Sequence, residues 1–415
     1  MTKQKMMHRV LALTVVLCAL LASAPCPIFA DDNPKHNSQD NCKRLLRQAD
    51  QELMPFFLWS VLAPPILPVE GSDGLIHLVY ELTITSLVPA PARIETVEVI
   101  DPTRDNLVLD VTSGDKMTAR LVPLPLQERA GLPPATLRPN ETEVLLLDVT
   151  FETRKDVPEV LAHRVTVALD LAADPVEVTE TGGCEEVSRR QALMLSPPLQ
   201  GDGWFDVDGC CIDEEHRHTI FPSNGTLQIS QRFATDFARI DAEGRTVVGD
   251  PTDVSHWVGY LAEVVAAAPG KVVTVVDGFP DEVPLQRPSD VTHANDAGNH
   301  VIIAMGGGRF ALYAHLAPHS ITVYEGERVR RGQRLGLLGN SGDTPIPHLH
   351  FHVTDGPSVF NSSGVPYVFD QWTFQGRGDL DLETGVVEVD PTGSGEKRRK
   401  ELPLYYDVMS FRNPR

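Results

Sequence analysis

Apolar and polar residues alternate through the stretch that begins at Ile76. Ile76, Leu78, Tyr80, Leu82 and Ile84 would share one face, and His77, Glu81, Thr83 and Thr85 the other. A period of two predicts a half-buried strand. RIETVEVI (93–100), ETEVLLLDVTF (141–151) and HRVTVALDL (163–171) repeat the pattern, with Pro- and Gly-rich turns between them. In the second of these, Leu145, Leu147, Val149 and Phe151 fall on one face. Several short antiparallel strands over about 120 residues predict an immunoglobulin-like sandwich, placed at 71–182. His77 and His163 are isolated within it and read as surface or hydrogen-bonded core residues. SPPLQGDGW (196–204) has a linker composition, so 183–204 is expected to join two domains. Beyond it the chain stays β-rich: TLQISQRFATDFARID, LAEVVAAAPGKVVTVVDG, HVIIAMGGGRFALYAHL and RVRRGQRLGLLGNSG. Helical periodicity is almost absent. The expected architecture is all-β: the sandwich, a second β domain at 205–375 and a C-terminal extension at 376–415. GGG at 306–308 lacks the Gly-Lys-Ser/Thr ending of a phosphate loop and opens no helix, so it reads as a hairpin turn.

The N-terminus changes the picture of where the protein works. Lys3, Lys5 and Arg9 precede an apolar run from Val10 to Ala24, and a small residue, Ala30, precedes an acidic stretch. This is the pattern of a secretory signal at 1–30. The run is shorter than the roughly 20 residues a span requires, so no stable membrane span is expected in the mature chain. Residues 31–70, polar and then proline-rich, read as a tether docked on the sandwich. Three of the 36 basic residues fall in the first thirty positions; the remaining 33 face 57 acids, a formal charge of −24. That balance argues against nucleic acid as a partner and favours a soluble exported protein, whether periplasmic, envelope-bound or extracellular. Cys42, Cys184, Cys210 and Cys211 lie beyond the signal, and an exported chain can bridge them. A bridge between the adjacent Cys210 and Cys211 is expected to be strained, so at least one is expected to reach Cys184 or Cys42. Zinc held by these cysteines is disfavoured, since no Cys-x-x-Cys spacing occurs.

Five of the fourteen histidines lie between 315 and 352. In HLHFHV (348–353), His348, His350 and His352 sit at alternate positions and would share one face of a strand. Neutral imidazole is a common metal ligand and a ready general base, so this density points to a metal or catalytic site. Other His-x-His strands do not fit. A metallo-β-lactamase-type site needs an aspartate where His352 stands. A cupin needs a nearby downstream glutamate, whereas the next one after His350 is Glu383.

HLHFHV, the upstream YAHL (313–316) and the intervening VYEGERVRRGQRLGLLGNSGDTPIPHLHF resemble the lysostaphin-type zinc endopeptidases, which cut peptide bonds in peptidoglycan. AAAPGKVVTVVDG and GNHVII resemble the strands that precede these motifs in that family. The resemblance covers roughly 205–370 and implies a duplicated-hybrid-motif β barrel. GERVRRGQRLG is shared with biotin and lipoyl carriers, but no lysine for attachment is present at its tip. By this resemblance His350 and Asp236, in QRFATDFARID, are zinc ligands, and His315 and His348 are catalytic. His352 is given no direct role. Zinc with three protein ligands keeps an open position where water ionises near pH 7. A histidine would then return a proton to the leaving amine. The resemblance also marks Asn340 as a substrate-binding candidate, with wall peptides as the substrate, and leaves the sandwich to engage an envelope protein partner.

One element of the family pattern is missing. Its first zinc ligand is a histidine four residues before the aspartate, and Arg232 stands there. A guanidinium is protonated and has no lone pair to offer a cation. Three arrangements remain open. Another histidine completes the site: GCCIDEEHRHTIFP supplies His216, the preferred candidate, and His218, with His256 third. Alternatively Asp236 and His350 hold zinc alone. In the third arrangement no zinc binds, and a degenerate domain binds wall peptides or regulates another wall hydrolase. Arg232 would then pair with Asp236 or grip a peptide carboxylate.

Overall fold

The computed structural model describes residues 56–411 apart from 125–131, 171–174, 212–214, 290 and 382–383. The expected signal segment, the start of the tether and Cys42 lie outside the described residues. Ten strands form two facing antiparallel sheets: β1 (Phe57–Val61), β2 (Val69–Glu70), β3 (Ile76–Ser86), β4 (Ala92–Asp101), β5 (Leu107–Ser113), β6 (Leu121–Leu124), β7 (Thr136–Leu137), β8 (Thr142–Phe151), β9 (Val160–Leu169) and β10 (Val176–Glu186). One sheet runs β1-β3-β8-β6 with β2 on β3; the other runs β10-β9-β4-β5 with β7 on β4. This order corresponds to the A-B-E-D and G-F-C-C′ pairing of an immunoglobulin-type sandwich. A single short helix, α1 (Gly114–Arg120), links β5 to β6.

The inner faces obey the alternation. Leu78, Tyr80, Leu82 and Ile84 of β3 meet Leu145, Leu147 and Val149 of β8 in one core with Val97, Val165 and Val167 of the opposite sheet. His163 is a core histidine: Tyr80 Oη lies 2.9 Å from its Nε2, and its Nδ1 lies 2.9 Å from the Gly183 carbonyl. Burial pulls its pKa down to about 4, so it is neutral. The outer face of the first sheet is buried as well. Leu62, Val122, Val144 and Leu146 close on Ile220 and Ile229 of the following β body, and Val79 joins that body's core. The run VLLL in β8 fits a strand covered on both sides.

The second body is built from β11 (Leu193–Leu195), β12 (Gly201–Asp208), β13 (Phe221–Ser223), β14 (Thr226–Gln228), β15 (Thr235–Arg239), β16 (Glu263–Val265), β17 (Gly270–Val276), β18 (Asn299–Gly306), β19 (Arg309–Leu316), β20 (Arg328–Val329), β21 (Arg334–Leu337), β22 (Leu349–Thr354), β23 (Tyr367–Phe369), β24 (Trp372–Asp381), β25 (Val386–Asp390), β26 (Lys397–Arg398) and β27 (Asp407–Phe411). Eleven of them form one sheet, ordered β20-β17-β18-β19-β22-β15-β12-β27-β24-β25 with β26 on β24. Phe237, Tyr313, Phe351, Tyr367, Phe369 and Phe411 fill its core.

Several expectations change here. The stretch expected as a linker contains the end of β10, β11 and the start of β12, because its alternation is too short to register as strand. The C-terminal extension supplies β24 to β27, and β27 pairs directly with β12. Part of the tether is strand: β1 and β2 pair with β3. Cys210 and Cys211 are bridged to each other across a cis peptide, with Cα atoms 3.0 Å apart. The expectation that strain would send at least one of them to Cys184 or Cys42 is thereby corrected. Cys184 is also disulfide-bonded, to a partner outside the described residues.

The interface between sandwich and barrel carries buried charge. His77 Nδ1 lies 2.9 and 3.0 Å from the Asp148 carboxylate oxygens, and its Nε2 lies 3.2 Å from Asp73. Burial alone would lower its pKa, but the two carboxylates outweigh it and hold the imidazole up at about 10.

Leu146→Ala should destabilise the chain by about 2–5 kcal/mol in urea unfolding, as a core truncation does. A loss of about 0.5 kcal/mol or less would mean that this face meets solvent. His77 has a folded pKa above its ordinary value of 6.5, so its contribution is complete below pH 6.5 and is lost as pH rises through about 10. The gap in Tm between the native chain and His77→Gln should therefore narrow from pH 7 to pH 10.

Candidate metal centre and active site

Three neighbouring strands set the site by register. Asp236 of β15 lies opposite His350 of β22, and Asp208 of β12 lies opposite Asp236. On the other side of β22, His350 is paired with Ala314 of β19, which places His315 at the same level. Alternation then turns His348, His350 and His352 to one face. All three are buried.

The Asp236 carboxylate is the focus. Its Oδ1 lies 2.8 Å from His350 Nδ1, and its Oδ2 lies 3.2 Å from His348 Nε2 and 3.4 Å from His216 Nε2. Burial opposes its charge, but the three imidazoles outweigh burial and hold its pKa well below the usual carboxylate range. For His348, burial lowers the pKa and the Asp236 charge and contact raise it; the net direction is up. His315 and His352 are pushed well down, first by burial and then by neighbouring imidazoles.

The rings are held from behind. His348 Nδ1 lies 2.7 Å from the Ile346 carbonyl and 3.2 Å from Thr344 Oγ1, leaving Nε2 toward Asp236. His315 donates from Nδ1 to the Ser341 carbonyl at 2.8 Å. His315 has φ +59°, a strained value for a non-glycine residue, and its N–H donates to the Ala297 carbonyl. Gly298 packs against the same Ser341 carbonyl, where an added Cβ would sit at 2.2 Å. His350 Nε2 meets His352 Nδ1 at 2.9 Å, so His352 backs a ligand candidate instead of facing the groove. His216 Nδ1 lies 3.6 Å from Asp208. Burial, with Asp236 and Glu215 nearby, lifts the Asp208 pKa to about 6 against the opposing charge of His216.

Of the sequence candidates, Asp236, His315, His348 and His350 converge. His216 joins them: its ligand atom and those of Asp236 and His350 all lie within 4.8 Å of one another, as do those of His315, His348 and His350. His218 belongs to neither group. His256 serves a local turn, where its Nδ1 accepts from the Asp250 N–H. Arg232 is elsewhere. Its guanidinium pairs with Glu81 and donates to the Leu62 carbonyl at 3.0 Å, both in the sandwich, and only 4 % of the residue is exposed. It neither touches Asp236 nor reaches the groove, so it is corrected from a substrate-binding to an interface residue. Asn340 is fully buried; it donates to the Glu282 carbonyl and accepts from Thr344, the residue behind His348. That is support for the site's loop, not a substrate contact. Asp208 and Thr344 escaped the sequence reading; an aspartate in WFDVDG two residues before a cysteine pair carries no distinctive spacing.

The donor set fits zinc. Two imidazole nitrogens and one carboxylate, each at about 2.0–2.2 Å, are a common catalytic ligand set. The cluster already brings those atoms within 4.8 Å of one another, the two histidines buried and Asp236 partly so. Asp208 lies 3.6 Å behind His216, close enough to act on its charge but beyond hydrogen-bond distance.

Comparison with known proteins agrees with the motifs. Residues 257–362 match Peptidase family M23. Peptidoglycan DD-endopeptidase ShyA of Vibrio cholerae is 46 % identical over 57 residues, 14 % of this chain and 13 % of its own. Peptidoglycan DD-endopeptidase ShyB of the same organism is 33 % identical over 110 residues, 26 % of this chain and 21 % of its own. The chain thus spans about a fifth or less of the curated relatives it matches. Among solved structures, the catalytic domain of lysostaphin from Staphylococcus simulans aligns over 40 % of this chain and 88 % of its own, at 18 % identity and a TM-score of 0.21. A zinc-containing peptidase from Vibrio cholerae aligns over 79 % and 90 %, at 13 % identity and a TM-score of 0.22. These superpositions are loose. The match to Peptidase family M23 falls on the part of the second β body that carries His315, His348, His350 and His352.

Proposed function

We propose that this chain is an exported zinc-dependent endopeptidase that cuts peptide bonds in peptidoglycan cross-links, acting in the periplasm, the envelope or outside the cell. One observation carries the reading: ligand atoms of His216, Asp236 and His350 lie within 4.8 Å of one another, while Arg232, where the resemblance expects the first ligand, is paired with Glu81. Those three residues would hold the cation, which supplies Lewis acidity toward the scissile carbonyl and makes water acidic enough to react near neutral pH. His315 Nε2, with its ring fixed by the Ser341 carbonyl, is set to accept the proton of the attacking water. His348 Nε2, in a ring inclined to carry charge beside Asp236, is set to stabilise the developing oxyanion and to return a proton to the leaving amine. Two buried imidazoles pushed in opposite directions suit one acid and one base. Wall peptides as substrate are supported by the names of the relatives that match.

In the degenerate-module alternative, which starts from the missing ligand, Arg232 would pair with Asp236 or grip a peptide carboxylate; its pairing with Glu81 speaks against both of those roles. An envelope protein partner for the sandwich would find exposed apolar residues, Leu107, Val108 and Val111, on the edge strand β5.

Metal content and kinetics together test the assignment. Purified protein should carry near-stoichiometric zinc, and His350→Ala or His216→Ala should lower zinc occupancy and hydrolysis of wall peptides together. His315→Ala and His348→Ala should instead keep zinc and lower kcat by about 10²–10⁴-fold. Unchanged occupancy in His216→Ala would reject that residue as a ligand. Unchanged kcat in both of the latter variants would reject the acid–base pair.

A further inference from the structure

The element that presents His216 is not held by the sheet. Glu215–His218 is one turn of 3₁₀ helix between β12 and β13, outside the ladder that fixes Asp236 and His350. Its anchor is the next residue. Arg217 is fully buried and points away from the metal centre into the sandwich. Its Nη2 donates to Glu81 Oε1 at 2.8 Å, to the Tyr80 carbonyl at 2.9 Å and to the Leu147 carbonyl at 3.2 Å; Nε reaches Glu81 Oε1 at 3.3 Å. Nη1 donates to the Cys211 carbonyl at 2.5 Å, which ties the turn to the end of β12. Every sandwich group in that set belongs to β3 or β8.

Glu81 is the common partner. It is fully buried, and its second oxygen takes Arg232, the residue at the family's ligand position. One carboxylate of the sandwich therefore holds two barrel guanidiniums. One of them precedes Asp236 by four positions, and the other adjoins the histidine that replaces the missing ligand. Two buried cations around one carboxylate need further acceptors: Arg217 finds the carbonyls of Tyr80, Leu147 and Cys211, and Arg232 Nη2 finds that of Leu62. Such a forked, hydrogen-bonded pair fixes orientation as well as charge.

We propose that Glu81 is a positioning residue of the metal centre: through Arg217 it sets the turn that aims His216 Nε2 at Asp236, so the sandwich and the barrel together form one zinc site. The inference rests on the zinc reading of the proposed function. The sandwich is then more than an appendage, since a barrel without it would lose the support of its third ligand. Arg232 is the counterpart change. The turn position where the resemblance expects a histidine ligand instead binds the domain from which the proposed replacement ligand takes its position.

A zinc-affinity cycle on the full chain tests this. Zinc is titrated into apo protein against a competing chelator for the native chain, Glu81→Gln, His216→Ala and the double variant, with far-UV circular dichroism and Tm recorded for each. Glu81→Gln should remain folded at 25 °C with a lower Tm, and its zinc affinity should fall about tenfold or more, the scale seen when a ligand loses its support. In the His216→Ala background the same substitution should change affinity less than twofold. Val122→Ala loosens the same interface from β6, away from Glu81 and Arg217, and should lower Tm while leaving affinity unchanged. Native affinity in Glu81→Gln, or an equal drop with and without His216, overturns the positioning role. If Glu81→Gln does not fold, Arg217→Lys keeps the charge, loses the fork and carries the same cycle, with the same two outcomes deciding for or against the role. A native chain that takes up no zinc overturns the zinc reading itself, whereas native uptake unaffected by Glu81→Gln overturns only the role of Glu81.

Discussion

A carboxylate largely withdrawn from water near the centre of a β-sheet must be compensated, and in this protein the Asp236 carboxylate organises its surroundings. Its register opposite His350 is set by backbone pairing, so the two side chains meet whatever else happens. Burial makes the charge costly unless hydrogen bonds and opposite charge answer it. Three imidazoles do so, from β22 and from the turn at 215–218. The same crowding of nitrogen atoms around one carboxylate is what a zinc ion needs, so folding and metal chemistry ask for the same geometry.

The supply of those imidazoles is unequal. His350 comes from a central strand whose neighbours β15 and β19 leave little freedom, and His348 immediately precedes that strand. His216 comes from a turn whose hold on the molecule runs through Arg217 to the sandwich. The sandwich's outer face is accordingly not a solvent face. Val144 and Leu146 pack on Ile220 and Ile229, and Glu81 receives both arginines. The described residues fall within one compact unit, as expected where two sheets and a barrel share a buried interface.

Much of the site was legible in the chain because its signals are local. HLHFHV declares its shared face through a period of two, and Asp236 and His315 each sit in short motifs of the lysostaphin type. Even His216, the proposed replacement ligand, could be approached by elimination, once a guanidinium was ruled out as a donor. What stayed hidden depends on distance along the chain. Glu81 and Arg217 are 136 residues apart, and a glutamate on the polar face of a strand gives no sign that the face is covered. Asp208 gains its place from a strand register, and residues 376–411 complete the sheet by pairing with β12, a partner far upstream. The adjacent cysteines misled for a different reason, because their bridge spans a cis peptide that sequence does not announce.

The central claim is that His216, Asp236 and His350 share one zinc ion. Diffraction from crystals grown with zinc, recorded at the zinc absorption edge, addresses it most directly. The account predicts one strong anomalous peak about 2.0–2.2 Å from His216 Nε2, an Asp236 carboxylate oxygen and His350 Nδ1. A peak ligated without His216, or no peak among these residues, would contradict it.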